Sequence, residues 1–416
     1  MLRKEGCMMK IEGGVTAAKG FKASAAQAEI KYKNRTDMAL VYSETPAVCA
    51  GVFTTNVVKA APVKWDKEIV KTRETVQAVV LNSGIANAVT GKAGDELNFV
   101  MAQSIADELH MEKEDVLTAS TGVIGVQLDA DKLKNGAKLL VPALDSSMEA
   151  GSKAAKAIMT TDTCPKEYAV MINLNGADVV IGGMAKGSGM IHPNMATMLS
   201  VITTDAVVEK KALQDMLSEI VQDTFNMISV DRDTSTNDTL VVLANGKAGN
   251  TPVTNGKKDK DYIAFYEGLK TVCEELAKMM AADGEGATKL FETKVIHAKT
   301  KEEAKVLAKS VITSNLVKTA IYGSDANWGR IFCAMGYSGV DFDPDQVDLY
   351  VESEAGKLKL VENGMATDFS EEKATEILSK NKVTAIADMK VGEEEATAWG
   401  CDLTYEYVKI NGDYRS

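Results

Sequence analysis

KGSGMIHPNMATMLSVITTDA, residues 186–206, is the stretch of this 416-residue chain on which the reading turns. Gly182 and Gly183 stand just ahead of it, and Gly187 and Gly189 lie inside it, residues that permit positive φ and close backbone approach. Pro193 interrupts regular structure immediately before a run of Met, Leu, Val and Ile. Thr197, set between Ala196 and the apolar Met198-Leu199, reads by itself as an ordinary strand threonine. Its neighbours along the chain change that reading.

Working outward, residues 168–174 and 179–184 read as two strands joined by Asn175-Gly176, a strong two-residue hairpin signal. Residues 76–81 are apolar and β-prone and end in the turn residues Asn82-Ser83-Gly84. Residues 95–109 place Leu97, Val100, Met101, Ile105 and Leu109 on one helical face, with acids in the first turn. A small-residue helix is predicted over 145–159, further helices over 210–228 and 262–282, and a strand over 239–244. The polar, Gly- and Lys-rich residues 246–260 read as a surface loop. The last third reads as a strand over 291–298, a helix over 302–316, and then several strands. This alternation predicts stacked layers of helices and sheets, without disclosing the strand order.

The length suggests two or three structural units, and 45% hydrophobic residues suffice for a substantial core. A net charge of -12 argues against nucleic acid, because no basic stripe is there to neutralise phosphates. Cys7, Cys49, Cys164, Cys273, Cys333 and Cys401 are scattered without a CxxC pair, which suits reduced thiols. His110, His192 and His297 have no metal-ligand spacing, so no metal is expected. The first fourteen residues lack the apolar core of a signal peptide, and no window approaches the roughly 20 apolar residues of a membrane span. A soluble, cytoplasmic protein without membrane partners is expected.

The stretch at 186–206 closely resembles the signature of the ornithine acetyltransferase family. AIMTTDTCPK (residues 157–166), ASTGVIG (119–125), DTSTNDT (233–239), DGEGATK (283–289) and the terminal INGDYRS (410–416) resemble further segments of that family in the same order. The resemblance runs from about Gly14 to Ser416, and several long motifs in one order are far more specific than a lone glycine fingerprint.

That resemblance implies an α/β fold, a layered α/β/β/α sandwich of the self-cleaving Thr-nucleophile type, spanning residues 1–285, with a smaller α+β domain over 286–416. It implies cleavage between Ala196 and Thr197, giving chains 1–196 and 197–416 that stay associated, by family analogy as a heterotetramer of two copies of each. Attack of the Thr197 hydroxyl on the Ala196 carbonyl would benefit from high effective molarity. The freed α-amine, titrating near about pH 8, could then serve as base to its own hydroxyl. Thr121 and Gly122 are implied as oxyanion donors, each contributing on the order of 3 kcal/mol; apart from the family, STG is simply a turn. Thr160, Lys186, Thr197, Glu285, Asn411 and Ser416 are implied as substrate-binding residues, Lys186 suiting a carboxylate and Glu285 an ammonium.

The implied reaction carries acetyl from N-acetyl-L-ornithine to L-glutamate in two steps, in arginine biosynthesis, with no cofactor. Some members also use acetyl-CoA as co-substrate. An N-terminal-Thr aminopeptidase or amidase, giving the acyl group to water, is the alternative. His192, five residues before Thr197, invites a Ser-His reading, but the new amine already supplies a base. This chain departs from the family pattern at Ile85, where Asn is common, at Arg232, where Gly is frequent, and at Ser324, Asp325 and Ala326.

Overall fold

The computed structural model describes residues 8–192, 198–257 and 259–414. Its described residues divide into two compact units, one within 8–187, 198–224 and 234–276, the other within 188–192, 225–233 and 277–414.

The first unit is built on nine strands: β1 (Met9–Ile11), β2 (Phe21–Ala26), β3 (Met38–Phe53), β4 (Thr75–Asn82), β5 (Val116–Ser120), β6 (Lys166–Leu174), β7 (Ala177–Lys186), β8 (Leu199–Thr204) and β9 (Thr239–Ala244). Their order is β1-β6-β7-β8-β9-β3-β4-β5, with β2 also paired to β3. The sixteen-residue β3 joins two halves of this sheet. Its start pairs with β2 and β4, its end pairs with β9, and its register against β4 slips between Tyr42 and Ala47. Such an irregularity bends a strand, so one strand can serve two layers.

Alternation along the strands then sorts the side chains. Ala39 and Val41 of β3, Val79 and Leu81 of β4, and Leu117 of β5 share a core with Met184, Leu199, Val201, Val241 and Leu243 of the other half. Met38, Leu40, Ala78, Val80 and Val116 face the opposite way, onto Met101, Ala102 and Ile105 of α2 (Gly91–Leu109) and Leu133, Ala137 and Leu140 of α3 (Ala130–Leu140). On the other half, Gly268 of α6 (Lys260–Ala282) sits where an added Cβ would lie 3.0 Å from Ile181 of β7 and 3.1 Å from Ile172 of β6. The layers therefore run helix, sheet, sheet, helix, as expected. Ile69 and Val70 of α1 (Ala61–Thr72) and Ala154, Ala155 and Ala157 of α4 (Met148–Ala157) complete the inter-sheet core, and α5 (Lys210–Ile220) buries Leu213, Met216 and Leu217.

The second unit is α+β. Its six-stranded sheet has the order β13-β12-β11-β14-β10-β15, from β10 (Leu290–Ala298), β11 (Asp348–Ser353), β12 (Gly356–Glu362), β13 (Met365–Ala366), β14 (Lys382–Asp388) and β15 (Glu394–Cys401). Five helices accompany it: α7 (Lys301–Ile312), α8 (Asn315–Tyr322), α9 (Trp328–Gly336), α10 (Glu371–Leu378) and α11 (Tyr405–Gly412). The residues of α6 from 277 onward also belong to this unit.

Several local expectations are corrected. α2 begins at Gly91, so Asp95 and Glu96 are not in its first turn. The helix predicted over 210–228 ends at Ile220, where the Thr224 hydroxyl donates to the Ile220 carbonyl and short 3-10 turns follow. The helix predicted over 302–316 breaks because the Ser314 hydroxyl accepts the Val317 N–H and starts α8. The final third is not only strands: α8 to α11 each span no more than nine residues, too few for a periodic signal. The hairpin at Asn175-Gly176 is as expected, with φ of +46° and +93° at its two residues. Among the described residues no helix is long and apolar enough to cross a membrane.

Candidate active site

β5 ends at Ser120, and Thr121-Gly122 turn directly off it. The Thr121 N–H donates to the Asn82 carbonyl (3.0 Å) and the Val123 N–H to the Gly84 carbonyl (3.1 Å), so the turn lies against the end of β4. Gly122 has φ +132°, and a Cβ there would come within 2.2 Å of the Gly84 backbone, so only glycine fits. Its own N–H finds no acceptor among the described residues. Two asparagines lock the turn. Asn82 donates to the Ile85 carbonyl (2.9 Å) and accepts the Ser120 hydroxyl (2.6 Å), while Asn237 donates to the carbonyls of Ala86 (2.6 Å) and Ser120 (2.7 Å).

Lys186, the last residue of β7, is buried and donates from Nζ to Thr121 Oγ1 at 3.4 Å. The same Nζ lies 3.9 Å from Asp162 Oδ2. Asp162, also buried, accepts the Thr160 N–H (3.0 Å), the Gly187 N–H (2.7 Å) and Lys166 Nζ (2.7 Å). Burial alone would push its pKa up, but Lys186 and Lys166 outweigh that and hold the carboxyl well below the usual carboxylate range. Thr121, Lys186 and Thr160 are thus gathered in one cluster, Asp162 joining Lys186 to Thr160 and Lys186 reaching on to Thr121.

Leu199 of β8 pairs with Lys186 of β7 and with Thr239 of β9. Just before it, the Met198 N–H donates to Asp238 Oδ1 (2.9 Å) and the Met198 carbonyl accepts the Thr239 N–H (3.0 Å). Asp238 is fully buried, its Oδ2 has no hydrogen-bond partner among the described residues, and burial pushes the carboxyl well above its ordinary range. Ala196, Thr197 and Ser416 lie outside the described residues.

In the second unit the Glu285 N–H donates to the Ser188 carbonyl (2.9 Å), and its carboxylate Oε2 accepts from Asn411 Nδ2 (2.7 Å). A Cβ on Gly189 would come within 2.2 to 2.4 Å of the Glu285 carboxyl, so the glycine makes room for it. α11 is docked there: the Thr404 hydroxyl donates to the Gly286 carbonyl (2.7 Å). Asn411 therefore reaches Glu285 through a terminal helix rather than a frayed tail. His192 is half-buried, its Nδ1 is 3.1 Å from Ser229 Oγ, and burial with Lys309 and Arg232 nearby pushes its pKa down to about 4. It is neutral near pH 7. Among the described residues no group of three or more His, Cys, Asp and Glu is placed to hold a metal ion.

The ArgJ family model matches residues 22–416. The chain belongs to the ArgJ family. Relatives of the ArgJ family include the arginine biosynthesis bifunctional protein ArgJ of Caldanaerobacter subterraneus subsp. tengcongensis, 52% identical over 406 residues, which are 98% of this chain and 99% of that protein. The protein of the same name from Thermotoga neapolitana is 50% identical over 399 residues, 96% of this chain and 99% of its own length. Among solved structures, that of arginine biosynthesis bifunctional protein argJ from Bacillus halodurans is 47% identical with a TM-score of 0.50, covering 52% of this chain and 99% of its own.

Sequence reading missed Asp162, Lys166, Asn82, Asn237 and Asp238 as residues packed around the candidate positions. Each lies in or beside a motif that was quoted, but a motif does not say which residue faces which. The pairing of β4 with β5, of β6 with β7 and of β8 with β9 brings them together.

Proposed function

We propose that this chain cuts its own backbone between Ala196 and Thr197, and then carries acetyl from N-acetyl-L-ornithine to L-glutamate on the Thr197 hydroxyl. As a member of the ArgJ family it is an acetyltransferase of arginine biosynthesis. The observation that carries the finer reading is the Thr121-Gly122 turn: a hydroxyl held by Lys186 stands beside a backbone N–H that has no acceptor among the described residues. Two neutral donors side by side suit the oxyanion that forms when a hydroxyl adds to an acetyl carbonyl.

In the proposed first half-reaction the Thr197 α-amine takes the hydroxyl proton, the oxygen adds to the acetyl carbon, and ornithine leaves with that proton on its nitrogen. In the second, the glutamate nitrogen attacks the acetyl ester and returns the Thr197 hydroxyl. Lys186 and Glu285 are assigned to the substrate's carboxylate and ammonium, with Thr160, Asn411 and Ser416 as further anchors. The solved chain from Bacillus halodurans pairs with 52% of this chain over 99% of its own length, about the extent that a cut at Ala196-Thr197 would leave. The word bifunctional in the relatives' names leads us to include acetyl-CoA as a second donor. The site uses no metal or organic cofactor in this reading, and the cut chains assemble as a heterotetramer in the cytoplasm.

The test is kinetic. Initial rates against N-acetylornithine at several fixed glutamate concentrations should give parallel double-reciprocal lines, and the fragment beginning at Thr197 should carry one acetyl group when glutamate is withheld. Thr121→Ala should lower kcat by about 10²-fold with a smaller change in KM. Intersecting lines without an acetylated fragment would overturn the covalent route, and acetate release indifferent to glutamate would make the protein an amidase.

A further inference from the structure

Two carbonyls flanking the Thr121-Gly122 turn end on one side-chain nitrogen. Asn237 Nδ2 donates to the Ser120 carbonyl at 2.7 Å and to the Ala86 carbonyl at 2.6 Å, and all three residues are buried. The Ser120 carbonyl belongs to the peptide that continues into Thr121, and the N–H of that peptide donates to the Asn82 carbonyl at 3.0 Å. The peptide is therefore gripped at both ends, and turning it would leave buried polar groups unmatched. On the far side of the turn, the Ala86 N–H donates to the Val123 carbonyl at 3.0 Å. One amide thus brackets Thr121 and Gly122.

The orientation of that amide follows from its neighbours. Asn237 Oδ1 accepts the Thr236 hydroxyl (2.6 Å), and the Asn237 backbone N–H donates to Ser235 Oγ (3.1 Å). Carbonyls only accept, so the side-chain NH2 must face Ser120 and Ala86. A primary amide is the neutral group that donates twice from one nitrogen; a hydroxyl donates once and a carboxyl at most once. The next two residues hold another part of the site. Asp238 Oδ1 accepts the Met198 N–H at 2.9 Å, and the Thr239 N–H donates to the Met198 carbonyl at 3.0 Å. Met198 directly follows Thr197 in the chain. Residues 237–239, where β9 begins, therefore fix the turn and the start of β8 to one another.

We infer that Asn237 is a positioning residue: it sets the Thr121 and Gly122 donors at a fixed place relative to the strand that follows Thr197. This rests on the proposed roles of Thr121, Gly122 and Thr197. An oxyanion donor acts where charge develops, so a displacement of about 1 Å can cost on the order of 10²-fold in rate and leave ground-state binding nearly intact.

Asn237→Ser and Asn237→Asp each leave at most one donor for the two carbonyls, the first by shortening the side chain and the second at unchanged size. Both should lower kcat about ten- to a hundredfold with a smaller change in KM, rates being referred to folded protein cut before Thr197. If a variant stays uncut, the same rates are read on residues 1–196 and 197–416 expressed together. The deciding measurement is a double-mutant cycle with Thr121→Ala, which a merely structural asparagine would leave additive. Asn237→Ser should cost about fivefold less, or better, when Thr121 is already alanine than when it is present.

Unchanged kcat in either variant, or a double variant whose loss equals the product of the two single losses, would overturn the assignment. If Thr121→Ala is slow while Asn237→Ser is fully active, only the role of Asn237 falls. If Thr121→Ala is itself fully active, the oxyanion reading falls, and the role of Asn237 with it.

Discussion

At the scale of single residues, Arg232 shows how a departure from the family pattern becomes physical. It is exposed and has φ +71°, a left-handed conformation in which glycine is free and other residues are strained. The frequent glycine at this position is thereby explained, while arginine there stores strain of about 1–2 kcal/mol. Because its side chain is exposed, truncation to alanine should leave that strain in place. Arg232→Gly should therefore be more stable than Arg232→Ala by about 1 kcal/mol in urea unfolding, even though glycine normally costs backbone entropy. Equal stabilities would show that the surrounding turn relaxes to accommodate a side chain.

At the scale of elements, α1 is fastened to β5 through Asp66. Its Oδ1 accepts both the Thr118 N–H (2.8 Å) and, at 3.3 Å, the Thr118 hydroxyl, while Oδ2 is buried with no hydrogen-bond partner among the described residues. Burial pushes this carboxyl well above its ordinary range despite those bonds. In the unfolded chain an aspartate titrates near about 4. A folded-state pKa above that value contributes stability that is complete below about pH 4 and is lost as pH rises toward the folded value. Asp66→Asn, which keeps the acceptor and cannot ionise, should thus gain stability relative to the unsubstituted protein as pH rises. Urea midpoints at pH 5 and pH 9 check this. A gap between the two proteins that does not widen with pH would mean Asp66 titrates alike in both states.

At the scale of the molecule, the sheet order decides what a backbone cut would do. β8 and β9 follow residue 197 in the chain, yet they lie between β7 and β3, which precede it. Six register pairs join β7 to β8 and six more join β9 to β3. Residues 1–196 and 197–416 therefore share one sheet and one core, and neither retains a closed layer without the other. A protein cut between Ala196 and Thr197, as proposed, should show two bands on a denaturing gel and a single species in native size-exclusion chromatography, parting only when unfolded. Separately expressed segments should aggregate, because each would expose long unpaired strand edges. Two cleanly separable, folded halves under native conditions would contradict this account.

Sequence alone determined the family, the layered class and the position of most long elements, because these depend on local pattern. Hairpin residues such as Asn175-Gly176, the continuous apolar run in 239–244 and the residues within each motif are written within a few residues of each other. The short helices α8 to α10 were also marked locally, by the caps Ser314, Asn327 and Ser370, but two turns give too little periodicity to read. What only the tertiary structure decided is contact between distant residues. That Lys186 leans on Thr121, that Asp162 stands between two buried lysines, and that Asn411 reaches Glu285 through a docked helix each join segments from 24 to 126 residues apart, or a loop to a strand end. Strand register aims Lys166 and Lys186, and a one-residue slip would send each to the opposite face, whereas the Asn411–Glu285 pair is set by the docking of α11.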